Sequence, residues 1–232
     1  MKVSLITVCY NSAGTIKTAF ESVFAQKGVE LEYIVVDGGS TDGTVDIIKD
    51  HSAWTNDFVF KWLSERDEGR YDAINKGIGL ATGDIVGILN ADDYLDGEDV
   101  LARVVKSFND LNSKNGSLEC VFGNVRFVKE VGGKTQRVCF ARFWRPWMLH
   151  WGYMPPHPAI FIRRECFSKW GGYEPSRKEY RIAADYELLV RYFCRRRISY
   201  KYLEPIFVVV MLLAVTSYFV DGTFSPFLYF RF

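Results

Sequence analysis

Short apolar runs and amphipathic stretches alternate through the first hundred residues of the chain. Most of the apolar runs are too uniformly apolar to be half-exposed strands, and each is bounded by polar residues or glycine; they cover residues 3–9, 33–36, 58–63 and 85–89. Continuous apolar runs separated by helical patterns are typical of parallel strands covered on both faces. This half of the chain therefore predicts a βαβ succession and a Rossmann-like open sheet, whose ligands bind beyond the carboxyl ends of the strands.

Four helices are predicted after these strands, because apolar residues recur there at the helical period. The last apolar positions of these patterns are residues 23, 48, 81 and 108, and the third helix is expected to stop near Gly83. The candidate caps of the first two helices are Asn11, Ser12, Thr41 and Asp42.

The pattern changes after residue 109. Residues 125–130 and 136–140 are predicted to form a hairpin, because two strand-like runs flank a glycine-containing turn. An aromatic stretch, the loop Pro155-Pro156-His157-Pro158 and a helix over residues 184–195 follow. Neither a low-complexity linker nor an internal repeat divides the sequence, so we expect a single domain over residues 1–232.

Charge and cysteine content exclude several classes of protein. The net charge is +1, which provides no general field for a nucleic-acid partner, and none is expected. The five cysteines are an odd number without a Cys-X-X-Cys pair, which fits neither a disulfide framework nor a zinc site and favours a reducing compartment. The N-terminal residues lead directly into a strand pattern without signal-peptide architecture, so we expect a cytoplasmic protein.

An apolar run over residues 206–220 raises the question of a membrane segment. Its 15 residues fall short of the ~20 that a helix needs to cross a bilayer. The run begins Ile-Phe-Val-Val-Val, which favours a buried strand. A segment at the membrane interface and a true span remain alternatives.

Polar residues follow each of the four predicted strands. Asp37 would project at the mouth of the second strand, where a carboxylate can accept a hydrogen bond from a ribose hydroxyl or a base N–H group. Asp42 is favoured as a helix cap. The dinucleotide fingerprint Gly-X-Gly-X-X-Gly and the phosphate-loop pattern are both missing after the first strand, which argues against a nicotinamide-dependent dehydrogenase and a P-loop NTPase.

Two adjacent carboxylates follow the fourth strand, in Asn90-Ala91-Asp92-Asp93. Neighbouring carboxylates repel each other unless a cation or a basic group offsets their charge. Oxygen ligands of this kind suit Mg²⁺ or Mn²⁺, which complete their coordination with water and phosphate oxygens. The alternative is an acidic cluster at the N-terminus of the next helix.

Four segments together resemble the GT-A fold, family 2 inverting glycosyltransferases. They are residues 7–11, 36–44, 67–77 and 90–93, and the resemblance extends over roughly residues 2–210. The stretch from Asp67 to Gly77 is similar to a subgroup of bacterial exopolysaccharide, capsule and O-antigen synthesis. The resemblance implies an α/β fold with a mostly parallel central sheet and helices on both faces. Residues 1–110 would bind the nucleotide sugar, and residues 111–232 would form the acceptor-binding and C-terminal half.

The resemblance also implies roles for individual residues. Side chains lining the nucleotide pocket or reading the base and ribose would be Thr7, Cys9, Asn11, Asp37 and Asp67, and those near the diphosphate or sugar would be Asp72, Asn75 and Lys76. Asn90-Ala91-Asp92 occupies the family's Asp-X-Asp position, with Asn90 replacing the first acid. The metal would therefore be held mainly by Asp92, with Asp93 as a second ligand.

The family's catalytic base is an aspartate at the start of a late helix, often preceded by Glu. Residues 181–188 match this pattern, with Asp185 in the base position and Ala184 in place of Glu. A helix N-terminus favours an ionised carboxylate, which can accept the proton of an acceptor hydroxyl. The alternative is a simple capping aspartate.

Further residues would serve the acceptor side. His157, stiffened by two flanking prolines, would face the acceptor or the diphosphate, or it would be a buried structural histidine. Aromatic side chains would stack on sugar rings or a lipid-linked acceptor, or pack in the core; they are Trp144, Trp147, Trp151 and Tyr153. The arginines at 195–197 would hold anionic lipid heads or form a solvated helix end.

The sequence thus predicts an enzyme that moves a sugar, with inversion, from a UDP-, GDP- or dTDP-type donor to a hydroxyl of a saccharide or lipid-linked acceptor. The enzyme would use Mn²⁺ or Mg²⁺ in cell-surface polysaccharide synthesis, with peripheral contact at the inner face of the cell membrane. The alternatives are a nucleotidyltransferase, which usually has a glycine- and arginine-rich loop after the first strand, and a non-catalytic sugar-nucleotide-binding protein. Beyond residue 211 the sequence continues apolar where the family often has a glycine-containing loop and another helix.

Overall fold

The computed structural model describes residues 1–53, 58–112, 118–174 and 183–211, with the backbone alone for 111–112 and 205–211. Its strands and helices follow in the order β1 (Lys2–Cys9), α1 (Ile16–Phe24), β2 (Glu30–Asp37), α2 (Thr44–Ser52), β3 (Val59–Ser64), α3 (Arg70–Leu80), β4 (Ile85–Asn90), β5 (Asp93–Leu95), α4 (Val100–Asn112), β6 (Cys120–Val128), β7 (Thr135–Cys139), β8 (Ile160–Arg163), α5 (Arg164–Trp170), α6 (Ala184–Leu189) and β9 (Tyr200–Met211). Two 3₁₀ turns span Pro146–Trp151 and His157–Ala159, and α6 continues into a wider, π-type turn over Val190–Arg196.

The described strands form one sheet in the order β3-β2-β1-β4-β8-β6-β9-β5, with β7 paired to β6. β3, β2, β1 and β4 are parallel, as predicted for the first half of the chain. The second half adds antiparallel pairs, β4 with β8 and β8 with β6, so the complete sheet is mixed. Val8 of β1 pairs with both Val36 and Asn90, and Asp37 pairs with Ser64. This register aligns the carboxyl ends of the four parallel strands at one edge.

Burial on both faces explains why the parallel strands are apolar without interruption. Leu5 of β1 packs into one core cluster with α1 and α4, whereas the adjacent Ile6 packs into the other with α3 and α6. Gly77 allows α3 to lie directly on β1, because a Cβ atom there would stand 2.5 Å from Cγ2 of Ile6. Helices therefore cover both faces, as predicted.

The predicted helix starts are partly wrong. α1 has Thr15 at its N-cap, and the carbonyl of Ser12 accepts hydrogen bonds from the first turn, so the Asn11 and Ser12 side chains do not cap the helix. At α2 the N-cap is Gly43 in the left-handed region (φ 95°), but Oδ1 of Asp42 accepts the Thr44 N–H group at 3.0 Å. Asp42 thus accepts a hydrogen bond from one N–H group of the first helical turn, although it lies one residue before the N-cap.

Three further predictions about the second half of the chain are confirmed. β6 and β7 form the predicted hairpin, and α6 with its π-type turn covers the predicted late helix. β9 confirms a strand for the start of the apolar run at residue 206, whereas residues 212–220 lie outside the described part of the chain. Among the described residues no helix is long and apolar enough to cross a membrane. The five cysteines are free thiols.

Candidate active site

The candidate site lies at the carboxyl edge of β1, β2, β3 and β4, where the predicted polar residues converge. Asp37 is fully buried at the end of β2. Its Oδ2 accepts hydrogen bonds from the Gly39 and Ser40 N–H groups at 3.0 Å and from Oγ of Ser64 at 2.7 Å. Burial opposes ionisation, but the donors of Ser40, Ser64 and Gly39 together lower the pKa of Asp37. The carboxylate thus fixes the loop after β2, and a nucleotide would meet that loop first.

Three residues from the end of β1 occupy different positions. Thr7 is fully buried, and its Oγ1 accepts a hydrogen bond from the Tyr33 hydroxyl at 2.9 Å, so its side chain faces the core and does not line an open pocket. Cys9 is buried beside Asp37, and burial raises the pKa of its thiol. Asn11 is exposed in the left-handed region (φ 50°), and its Oδ1 accepts the Thr41 N–H group at 2.9 Å. Asn11 therefore joins the end of β1 to the loop after β2.

The Asp67 carboxylate lies against the same loop. A Cβ atom at Gly38 would stand 2.5 Å from Oδ2 of Asp67, so only glycine admits the carboxylate at this distance. Oδ1 of Asp67 accepts the Gly69 N–H group at 2.8 Å. Asp37 and Asp67 thus flank one strip of bare backbone, as a pocket for a nucleotide requires.

The first turns of α3 bring a cation to the site. Nζ of Lys76 lies 2.8 Å from Oε1 of Glu65 and 3.3 Å from Oδ2 of Asp72, and Glu65 raises the pKa of Lys76. A diphosphate at this position would compete with these carboxylates for the ammonium group.

Asn75 contacts the backbone of Tyr173. Its Oδ1 accepts the Tyr173 N–H group at 2.9 Å, and its Nδ2 donates to the Tyr173 carbonyl at 2.8 Å. This pair of hydrogen bonds engages the whole amide and holds the segment after α5 against α3. That Asn75 lies near the diphosphate or sugar stays a prediction, but the structure engages its amide with the Tyr173 backbone.

The acidic turn of residues 90–93 connects β4 to β5. The alternative of an acidic helix N-terminus is wrong, because Asp93 begins a strand and α4 begins only at Val100. Nδ2 of Asn90 donates to Oδ2 of Asp93 at 2.7 Å, Ala91 is buried, and Asp92 is partly buried.

The electrostatics of the acidic turn favour a cation. Asp93 is fully buried, and among the described residues its Oδ1 has no hydrogen-bond partner. Burial raises the pKa of Asp92, and burial together with the Asp92 charge raises the pKa of Asp93 well above its ordinary range. Arg70 opposes both shifts.

The oxygen ligands of the acidic turn would fill only part of the coordination of a divalent metal. The described residues contain no cluster of three or more His, Cys, Asp or Glu side chains, whereas Mg²⁺ is typically held by one or two carboxylates plus substrate phosphates. Asp92 and the unpartnered Oδ1 of Asp93 provide such a partial site, and a bound diphosphate would complete it.

Aromatic and basic side chains cluster around His157. Nε2 of His157 lies 2.7 Å from the Tyr173 hydroxyl, and the Tyr71 ring stacks on the Tyr173 ring with centroids 5.5 Å apart. Arg70 donates from Nη2 to the Tyr71 hydroxyl at 3.0 Å. Burial lowers the pKa of His157 to about 4, although Asp185 opposes this shift. His157 is part-buried and therefore, with this lowered pKa, neutral at pH 7.

Asp185 lies in the first turn of α6 and is 5% exposed. Its charge raises the pKa of both His157 and Tyr173, which shows that the carboxylate lies close to this pair. The charge of Arg70 acts on Asp92, Asp93, His157 and Tyr173. Arg70 is thus close enough to both the acidic turn and the His157–Tyr173 pair to influence their pKa values.

Sequence reasoning missed Arg70, Tyr71 and Tyr173. A signal existed for the first two, because they directly follow Gly69 in the polar stretch after β3. Tyr173 has no local signal, since its partners His157 and Asn75 are 16 and 98 residues away.

The parallel half-sheet with an acidic turn at its carboxyl edge defines an α/β fold of the GT-A type. Solved structures with this fold include S. aureus TarS 1-349 (TM-score 0.69, 19% identity, covering 91% of this chain and 60% of that chain). Another is the mannosyltransferase PcManGT from Pyrobaculum calidifontis in complex with GDP-Man and Mn²⁺ (TM-score 0.67, 21% identity, covering 90% of this chain and 56% of that chain). The chain thus spans about three fifths of the TarS fragment.

The family model of glycosyl transferase family 2 matches residues 4–171, and the chain belongs to this family. An uncharacterized glycosyltransferase of Mycobacterium tuberculosis (strain H37Rv) is 35% identical over 193 residues, which cover 82% of this chain and 68% of that protein. A PGL/p-HBAD biosynthesis glycosyltransferase of Mycobacterium bovis (strain BCG / Pasteur 1173P2) is 30% identical over 210 residues, covering 88% of this chain and 74% of that protein.

Proposed function

We propose that the chain transfers a sugar, with inversion, from a nucleotide-sugar donor to a hydroxyl of a saccharide or lipid-linked acceptor in cell-surface polysaccharide synthesis. The observation that carries the proposal is the acidic turn at the carboxyl edge of the parallel strands, in which Asp93 is fully buried and, among the described residues, its Oδ1 has no hydrogen-bond partner. This turn is suited to a metal-bound diphosphate, and Asp185 offers a carboxylate to an incoming hydroxyl. We place the enzyme in the cytoplasm, at the inner face of the cell membrane.

In the proposed reaction, Asp185 accepts the proton of the acceptor hydroxyl while that oxygen bonds to the anomeric carbon. The bond between the anomeric carbon and the diphosphate oxygen breaks on the opposite face of the sugar, and the nucleoside diphosphate departs with the electron pair. Single displacement of this kind inverts the anomeric centre. Mn²⁺ or Mg²⁺, when bound at Asp92 and Asp93, supplies positive charge to the diphosphate.

The residues around this line of attack have supporting roles. Arg70 and Lys76 add positive charge beside the leaving group. Neutral His157 and the Tyr173 hydroxyl present uncharged hydrogen-bonding groups next to Asp185, which leaves its carboxylate as the base. Asn75 holds Tyr173 in this position through the Tyr173 backbone.

The donor is proposed to be a UDP-, GDP- or dTDP-sugar. The ligands of the structural neighbours support this class, because S. aureus TarS 1-349 was solved with UDP-GlcNAc and PcManGT with GDP-Man and Mn²⁺. Nucleotidyl transfer, the alternative, has no support from the family to which the chain belongs.

A thermal-shift panel of UDP-, GDP- and dTDP-sugars, each with and without Mn²⁺, tests the donor and metal assignments. A ligand that binds only the folded chain raises the melting temperature, by an amount equivalent to about 2.7 kcal/mol at a hundredfold excess over Kd. We expect one nucleotide class to do so, and only with metal. Asp92→Asn should abolish the metal-dependent part of the shift, whereas Asp46→Asn on α2 is the matched control. Equal shifts with and without Mn²⁺ would contradict the metal role.

A further inference from the structure

Five aromatic side chains stand exposed on a single short segment, residues 140–153. Their exposed fractions are 71% for Phe140, 79% for Phe143, 60% for Trp147, 73% for Trp151 and 54% for Tyr153. Scattered single apolar residues are ordinary on a protein surface, but a contiguous group marks an interaction site.

Residues 140–153 pack against the rest of the protein through buried contacts. Trp144 is buried with its ring 5.0 Å from the Phe193 ring, and its Nε1 donates to the Tyr153 carbonyl at 3.1 Å. Sγ of Cys194 lies 3.7 Å from the Pro146 carbonyl oxygen. Trp144 is thus the core tryptophan of the group, and the segment is fixed against the π-type turn after α6.

This packing places exposed arginines beside the exposed aromatics. The turn after α6 ends in Arg195, Arg196 and Arg197, and the segment itself contributes Arg142 and Arg145; all five are exposed. Residues 140–153 and 190–203 contain no Asp or Glu, although the chain has 28. Of the five arginines, Arg142 has an acidic neighbour, because its Nη1 lies 3.6 Å from Oε2 of Glu204. We call these exposed residues of 140–153 and 195–197 the aromatic–arginine surface, and it is strongly positive.

The charge and the aromatic content of the aromatic–arginine surface favour an anionic bilayer over a second copy of the chain as its partner. A second copy would bring like charges together, which opposes association. An anionic bilayer offers phosphate groups to the arginines, and its interface is where Trp and Tyr rings preferentially lie. The combination of a basic rim with large aromatics is the pattern of surfaces that rest in the headgroup region.

We propose that the aromatic–arginine surface docks the enzyme on an anionic phospholipid membrane. The inference builds on the proposed peripheral location but does not depend on the transfer chemistry. The Tyr186 hydroxyl donates to the Leu149 carbonyl, so the surface adjoins the first turn of α6, which carries Asp185. A docked enzyme would therefore present its Asp185 side close to the headgroups, where a lipid-linked acceptor carries its hydroxyl.

Vesicle flotation of the full chain at low salt tests the docking. We expect binding to vesicles that contain phosphatidylglycerol and little binding to phosphatidylcholine alone. Each arginine near an anionic surface is worth about fivefold in affinity, so R195Q/R196Q/R197Q should bind roughly 100-fold more weakly. W147A/W151A should lose on the order of tenfold for each tryptophan. The controls W62A and K17Q/K27Q/K49Q, which change exposed residues outside this surface, should bind like the wild type.

A measurement on the wild type keeps the test independent of the variants' folding. Vesicles with brominated acyl chains should quench part of the wild type's tryptophan emission, because bromine quenches only those indole rings that come into contact with the acyl chains. The proposal would be overturned if the vesicles left the tryptophan emission unchanged, or if the wild type bound charged and uncharged vesicles equally. It would also be overturned if the wild type were a dimer and W147A/W151A only converted it into a monomer, because the surface would then be a contact between two copies. Release of nucleoside diphosphate in solution by R195Q/R196Q/R197Q should be unchanged. If the wild type releases nucleoside diphosphate but does not bind vesicles, the docking proposal fails and the proposed transfer reaction stands.

Discussion

Acidification from pH 7 to pH 4 should destabilise the fold through His157. Its pKa is lowered from 6.5 to about 4 by burial, with Nε2 2.7 Å from the Tyr173 hydroxyl. Between these two values the unfolded chain binds a proton that the native chain does not. Stability attributable to His157 is therefore complete above pH 6.5 and is lost as the pH falls towards 4. At 1.36 kcal/mol for each pKa unit, the loss amounts to at most about 3 kcal/mol.

Urea unfolding at half-unit intervals between pH 7.5 and 4 measures this contribution. The comparison is between the wild type and His157→Gln, which keeps a hydrogen-bonding group near Tyr173 but does not titrate. Burial raises the pKa of Asp93, which therefore contributes a trend of opposite sign, but this contribution is present in both proteins and cancels in their difference. We expect the free-energy gap between the two proteins to narrow or reverse as the pH falls. Parallel curves across the whole window would refute the lowered pKa of His157.

Two further predictions concern stability. Gly77→Ala should destabilise the fold by about 1–3 kcal/mol, because the new Cβ atom would stand 2.5 Å from Cγ2 of Ile6, whereas Gly79→Ala on the same helix meets nothing within 4 Å and should stabilise by up to ~1 kcal/mol. Chemical denaturation of both variants checks this pair, and equal effects would contradict the close packing of α3 on β1. Glu32 is fully buried with a pKa of about 2, since the hydrogen bonds from Lys61 and its other donors outweigh the effect of burial. Its stabilising contribution of at most about 3 kcal/mol should be present above pH 4.5 and lost as the pH falls towards 2, and Glu32→Gln should remove that part of the acid sensitivity.

The parallel half of the sheet could be predicted from the sequence because its signals are local. Uniformly apolar runs, helical periods and polar strand ends together specify β1 to β4 and the edge at which Asp37 and Asp92 meet. The same uniformity concealed the orientation of Thr7. When both faces of a strand are buried, alternation no longer shows which side chain turns to the core and which to the site.

The other half of the site depends on contacts between distant parts of the chain. Asn75 and Tyr173 are 98 residues apart, and no local pattern shows that the Asn75 amide holds the Tyr173 backbone. Likewise, only the fold shows that the charge of Arg70 reaches both the acidic turn and His157. The acceptor-side aromatics could be named from the sequence, but burial was needed to separate Trp144 from the exposed Trp147 and Trp151.

The most direct test of the account is the release of nucleoside diphosphate by Asp185→Asn and the wild type, measured with the same donor, acceptor and Mn²⁺. Asparagine preserves the size of the side chain but cannot take up the acceptor proton. Loss of a general base typically costs 10²–10⁴-fold in rate, so we expect a loss of about that size with donor binding retained in the thermal-shift assay. Asp72→Asn, which changes a carboxylate of the donor side, should release product at a rate much closer to the wild type. Undiminished turnover by Asp185→Asn would contradict the assignment of Asp185 as the base.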